Sequence, residues 1–181
     1  MKQQIFFGIV ILMVMACAAG CMDEQGFVPE LRSPVLPGQT IVAIGTVTGG
    51  GQTGGVLSTG TIDTITVRVG LVPGAKPVTM ENLSIVYADA VRTESLQPVD
   101  SFRGSPGQSS WGIIAVENEQ MPANNRLDDR EEFVIQINPR APVVSRQLVT
   151  IVIKPPTGTP LTLRLTAPPV ILAGDNVFTP V

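Results

Sequence analysis

Hydrophobic residues fall at every second position through much of the chain after residue 60. Ile65, Val67 and Val69 share one face of an extended segment, while Thr64, Thr66 and Arg68 share the other. The alternation returns in Leu83, Ile85 and Tyr87 after a Pro73-Gly74 corner, then in Phe133, Ile135 and Ile137, and again in Val149, Ile151 and Ile153. Leu161, Leu163 and Leu165 continue it against Thr162, Arg164 and Thr166. With Ile41 to Thr48 and Trp111 to Val116 added, the pattern predicts about seven strands, each with one face to bury. Such strands are stabilised by stacking two antiparallel sheets about 10 Å apart. The predicted fold class is therefore all-β, an immunoglobulin-like antiparallel β-sandwich, although the cysteine pair that joins the sheets of true immunoglobulin domains is absent.

The stretch "LVTIVIKPPTGTPLTLRLTAPPVI", residues 148 to 171, is the clearest hairpin. Pro155-Pro156 cannot donate ladder hydrogen bonds, so the first strand must stop there. Thr157-Gly158-Thr159-Pro160 then turns the chain for an antiparallel return, which Pro168-Pro169 ends in the same way.

Ahead of residue 40 the pattern changes. One lysine precedes an uninterrupted apolar run from Ile5 to Met22, and Asp23 and Glu24 follow it. As a helix this run measures about 27 Å, enough to cross the hydrocarbon of a bilayer. The positive flank before it and the acidic flank after it place the body outside the membrane. Three readings stand side by side: a cleaved secretory signal, a lipoprotein-type signal, or a retained helix that anchors the chain or packs against its copies. The second rests on Val14-Met15-Ala16-Cys17 and Ala18-Ala19-Gly20-Cys21, which resemble lipidation boxes and make Cys17 and Cys21 candidate lipid carriers. The plain alternative for both cysteines is small apolar residues in a helix. Residues 23–39 carry Pro29, Pro34 and Pro37 without periodicity and read as a linker. The expected organisation is a hydrophobic segment over 1–22, a proline-rich linker over 23–39 and a sandwich domain over 40–181.

Composition narrows the chemistry. Eighteen glycines and 16 prolines in 181 residues describe many corners and little uninterrupted helix. The chain has no histidine, which removes the usual near-neutral base and every Ser/His or Cys/His nucleophile pair. Its only cysteines are Cys17 and Cys21, so the body has neither a disulfide nor a thiolate metal site. A net charge of −3 gives no electrostatic reason to bind nucleic acid. The acids sit at strand ends and in loops rather than as an acid/base pair, no cofactor motif is present, and the expectation is a protein that is not an enzyme.

Three local motifs need weighing. "GTVTGGGQTGG", residues 45 to 55, is rich enough in glycine to suggest a phosphate cradle, but no Lys-Ser/Thr follows and no helix opens after it. It reads as a flexible loop between strands. "NNRLDDREEF", residues 124 to 133, gathers Asp128, Asp129, Glu131 and Glu132, which suggests an ion near Asp128. The spacing fits no calcium loop, and Arg126 and Arg130 offset the charge, so it reads as a solvated connection. Asn82-Leu83-Ser84 is an N-glycosylation acceptor, usable if the body is exported.

Taken together, "VGLVPGAKPVTMENLSIVYAD", Trp111 followed by a polar loop and "NRLDDREEFVIQINP", and above all the closing hairpin resemble the outer domain of archaellins, the subunits of the archaeal flagellum. The resemblance runs from about Ile41 onward. It implies a β-sandwich on the outside of a helical filament whose core is a bundle of N-terminal helices, with glycosylation at sites like Asn82. The start departs from the family's pattern: Met1-Lys2-Gln3-Gln4 leads straight into the apolar run, and no glutamate stands near its beginning. The function expected is a structural subunit or accessory of the archaellum filament, serving motility and surface attachment from the cell exterior. Its partners would be other archaellin-like subunits, cell-envelope proteins, and the membrane through the N-terminal helix. The alternative is a membrane-tethered or lipid-anchored cell-surface binding module.

Overall fold

The computed structural model describes residues 35–52, 60–120 and 123–181. The expected N-terminal helix, Cys17 and Cys21 lie outside these residues. Among these residues twelve strands form in chain order: β1 (Ile41–Gln52), β2 (Thr61–Leu71), β3 (Val78–Thr79), β4 (Ser84–Asp89), β5 (Thr93–Arg103), β6 (Ser110–Glu117), β7 (Arg126–Leu127), β8 (Glu132–Asn138), β9 (Leu148–Lys154), β10 (Leu161–Thr166), β11 (Gly174–Val177) and β12 (Thr179–Pro180). A 3-10 turn at Met80–Asn82 precedes β4. The all-β expectation holds for the described residues.

One layer has the order β11-β1-β2-β8-β6-β5, and the other β5-β4-β9-β10-β12. The alternating residues named above point inward from both layers. Ile65, Val67, Val69, Phe133, Ile135 and Ile137 meet Ile85, Tyr87, Val149, Ile151, Ile153 and the three leucines of β10 in a single core cluster, all at most 1% exposed. Each such side chain contributes about 1.5–3 kcal/mol through burial, which is why the period-two pattern decides the fold. The closing hairpin forms as expected, with Leu161 opposite Ile153 and Thr166 opposite Leu148.

Two expectations need correction. The sheets are not wholly antiparallel: β5 pairs with β4 antiparallel through Leu96, then crosses to the other layer and pairs with β6 in parallel from Gln97. The crossing uses a bulge between Pro98 and Arg103, with Ser101 at φ 56° and Phe102 at φ 63°. Phe102 then lies against Trp111, ring centroids 6.1 Å apart. The glycine-rich stretch is also not a loop over its first part, because β1 runs on through Gln52. A β-carbon on Gly49 would come within 2.5 Å of Ile62 Cγ2 and 2.8 Å of Phe178 Cε2. One on Gly51 would come within 2.3 Å of Leu172 O. These glycines let neighbouring chain approach the strand closely.

The second seam of the sandwich is closed by the segment that carries β11 and β12. β11 pairs with β1 in one layer, β12 pairs with β10 in the other, and Phe178 between them is 1% exposed with its N–H donating to Val47 O at 3.0 Å. One lateral seam is thus bridged by β5, and the other by the segment from Gly174 to Pro180, which pairs with Thr48–Gly51 of β1 and Leu165–Thr166 of β10.

Candidate interaction surfaces

The strand registers define two ends of the body. One end gathers the start of β1, the Pro73-Gly74 corner, the start of β4, the 155–160 corner and the connection between β6 and β8. The chain enters the body here. Asn82 lies at this end, exposed at the close of the 3-10 turn, and Ser84 two residues on is exposed as well. Asn82 and Ser84 therefore face solvent, while Leu83 between them is buried in the core.

The acidic stretch also belongs to this end, and it is more ordered than a solvated connection. Glu131 is only 3% exposed; its Oε1 accepts from Gln120 N at 2.7 Å and its Oε2 from Asp128 N at 3.0 Å. Asp128 is held by Arg126 Nε, at 2.9 and 3.1 Å to its two oxygens. Arg103 Nη2 reaches Glu119 at 2.6 Å, tying β5 to the same connection. Among the described residues no group of three or more acidic, His or Cys side chains is placed to hold a metal ion.

The opposite end carries five of the exposed large apolar side chains among the described residues. Val91, Val144, Leu148, Val170 and Leu172 lie in turns and strand ends there and are between 44% and 84% exposed. Two buried polar side chains hold these turns. Asp89, its side chain 1% exposed, accepts from Val91 N at 2.8 Å, Arg92 N at 2.9 Å and Gln147 Nε2 at 3.1 Å, and pairs with Arg92 Nε at 3.1 Å. The neighbouring Tyr87 hydroxyl is pushed far above its ordinary range by burial, with the Asp89 charge adding to the shift. Asn176, 5% exposed, accepts from Leu172 N at 2.8 Å and donates to Leu172 O and Gly174 O, both at 2.9 Å. Neither was found from sequence. An Asp that ends a strand just before a short turn is a recognisable signal for the first, since it caps the turn's N–H groups; the second has none.

The described surface includes two open depressions of about 300 Å³. One, lined by Ile44, Thr46, Thr48, Thr66, Arg68 and Val134, sits over the bulge in β1. Its Arg68 is committed to Glu117 at 2.7 Å and Glu132 at 3.4 Å. The other is lined by Asp63, Gln108, Asn138 and Arg140 among prolines. Glu117 and Glu132 are cross-strand partners on β6 and β8, so the guanidinium of Arg68 stands between two carboxylates beside the first depression.

No family model and no curated protein matches the chain. Solved structures do match in fold. The crystal structure of archaeal flagellin FlaB1 from Methanocaldococcus jannaschii superposes with a TM-score of 0.56 at 17% identity, over 74% of this chain and 93% of that one. The archaeal flagellum of Methanospirillum hungatei strain JF1 gives 0.53 at 15% identity, over 77% of this chain and 71% of that one. The β-sandwich of this protein is accordingly archaellin-like, sharing its fold with the subunits of archaeal flagella.

Proposed function

We propose that the protein is a non-enzymatic structural component of an archaeal flagellum, a filament subunit or an accessory of it, working outside the cell in motility and surface attachment. The observation that carries this reading is the flagellin fold shared across 93% of the FlaB1 chain. In this reading residues 1–22 are the filament-core or membrane helix, 23–39 the linker and 40–181 the outer domain, whose partners are other archaellin-like subunits and proteins of the envelope. Deletion of the gene in its host is expected to remove or shorten surface filaments, seen by electron microscopy, and to reduce swimming in soft agar. Unchanged filaments and unchanged swimming would overturn the reading.

A second reading is favoured by the two lipidation-like boxes: a surface module tethered through Cys17 or Cys21. Mass spectrometry of the mature N-terminus separates the two, since a diacylglyceryl cysteine belongs to the tethered module and an unlipidated, retained helix to the filament. Glycosylation of Asn82 fits either reading. The expected result is a glycan mass on the tryptic peptide that holds Asn82, absent in Asn82→Gln with thermal stability unchanged; an unmodified peptide from native material removes this assignment.

A further inference from the structure

The proline-rich stretch does not reach the body as free chain. Leu36 to Gln39 form a tight turn in which Gln39 N donates to Leu36 O at 3.0 Å. The Gln39 side chain is 7% exposed and uses both ends of its amide: Oε1 accepts from Leu36 N at 2.9 Å, and Nε2 donates to Ile41 O at 2.7 Å. A free linker has no cause to bury and satisfy a glutamine in this way. The turn rests on the corner of the closing hairpin. Thr159 N donates to Gly38 O at 2.9 Å, Thr159 Oγ1 to Pro37 O at 3.0 Å, and Thr40 Oγ1 to Thr157 O at 3.3 Å. Gly158 adopts φ +96°, and a β-carbon there would stand 2.7 Å from Gly38 O and 2.8 Å from Thr40 Cγ2. The two turns therefore touch backbone to backbone. On the other side Val72 N donates to Thr40 O at 3.0 Å, which fastens the entering chain to the Pro73-Gly74 corner as well.

We infer that these interlocked turns form a rigid, tension-carrying joint that fixes the direction in which the N-terminal segment leaves the body. A linker of free chain lets a body swivel about single bonds, whereas a turn gripped by two corners of the sandwich does not. Beyond the joint the chain becomes β1, which pairs with β2 from Ile41 to Gln52 and with β11 at its far end, from Thr48 to Gly51. Tension arriving along β1 loads those ladder bonds together, in shear, instead of peeling them one at a time. The two hairpin prolines act with this arrangement, because they end β9 where the corner must lie against the incoming turn. The joint serves a filament subunit and a tethered module alike, so its test is separate from the filament test.

The test uses the full chain in detergent micelles with Cys17→Ser and Cys21→Ser, and nitroxide labels on Val35→Cys and Lys154→Cys, both exposed positions. Double electron-electron resonance is expected to give one narrow distance distribution. Thr159→Val removes the hydroxyl bond to Pro37 O and keeps the side chain's shape; Gly158→Val drives the turns apart. Both are expected to keep the near-ultraviolet dichroism of Trp111 while widening the distribution about twofold or more, as a released linker samples many directions. A broad distribution in the parent overturns the joint, as does an unchanged width in folded Gly158→Val. Should that variant fail to fold, an unchanged width in Thr159→Val overturns it equally.

Discussion

Phe178→Ala is expected to destabilise the body by about 3–5 kcal/mol, the range for removing a fully buried aromatic ring. The ring is 1% exposed and stands where the C-terminal segment leaves β1 for β10, so its loss opens a cavity at the seam joining the layers. A domain of this size has about 5–15 kcal/mol in total, so the variant stands close to the limit of folding. The check is denaturant unfolding of the full chain in detergent, followed by Trp111 fluorescence. The neighbouring Val177 is 42% exposed, and Val177→Ala should stay within about 0.5 kcal/mol of the parent. Equal effects at the two positions would show that the ring does not lock the seam.

Gly51→Val is the second large effect, and its sign is decided by competition. Valine favours extended backbone over glycine on a scale of about 1 kcal/mol, so propensity alone predicts a gain. The new β-carbon, however, would lie 2.3 Å from Leu172 O and 2.4 Å from Asn176 Nδ2. Overpacking costs about 1–3 kcal/mol. Pushing Asn176 off Leu172 and Gly174 strands buried polar groups, at about 1–3 kcal/mol more. A net loss is expected, measured by the same unfolding assay. Gly107→Ala, where nothing lies within 4 Å of the added atom, should be close to neutral. A stabilised Gly51→Val would mean that β1 and the 171–176 segment stand further apart than described.

Strands that bury one full face were legible because their inward positions are uniformly apolar, as in Val149, Ile151 and Ile153. β5 was not legible. Of Thr93–Arg103 only Leu96 is buried, since the strand spends its length crossing between layers, and no alternation survives the crossing. β11 and β12 were hidden for a related reason: each is short, and the seam is held by Phe178 between them and by the amide of Asn176. The glycines of β1 look like a loop by composition because their reason lies in distant chain, Ile62, Leu172 and Phe178, which local reading cannot bring near. The staples at Asp89 and Glu131 share this property, as both answer backbone N–H groups whose positions exist only once the fold does. Exposure at Asn82 could not be read from the triplet either, because the 3-10 turn that presents it is set by Met80 buried beneath.

Because the strip from Gly174 to Pro180 lies beside β1, far from it along the chain, the sandwich cannot shut until that strip has been made and has reached β1 and β10. A ribosome must release that strip before the sandwich can shut.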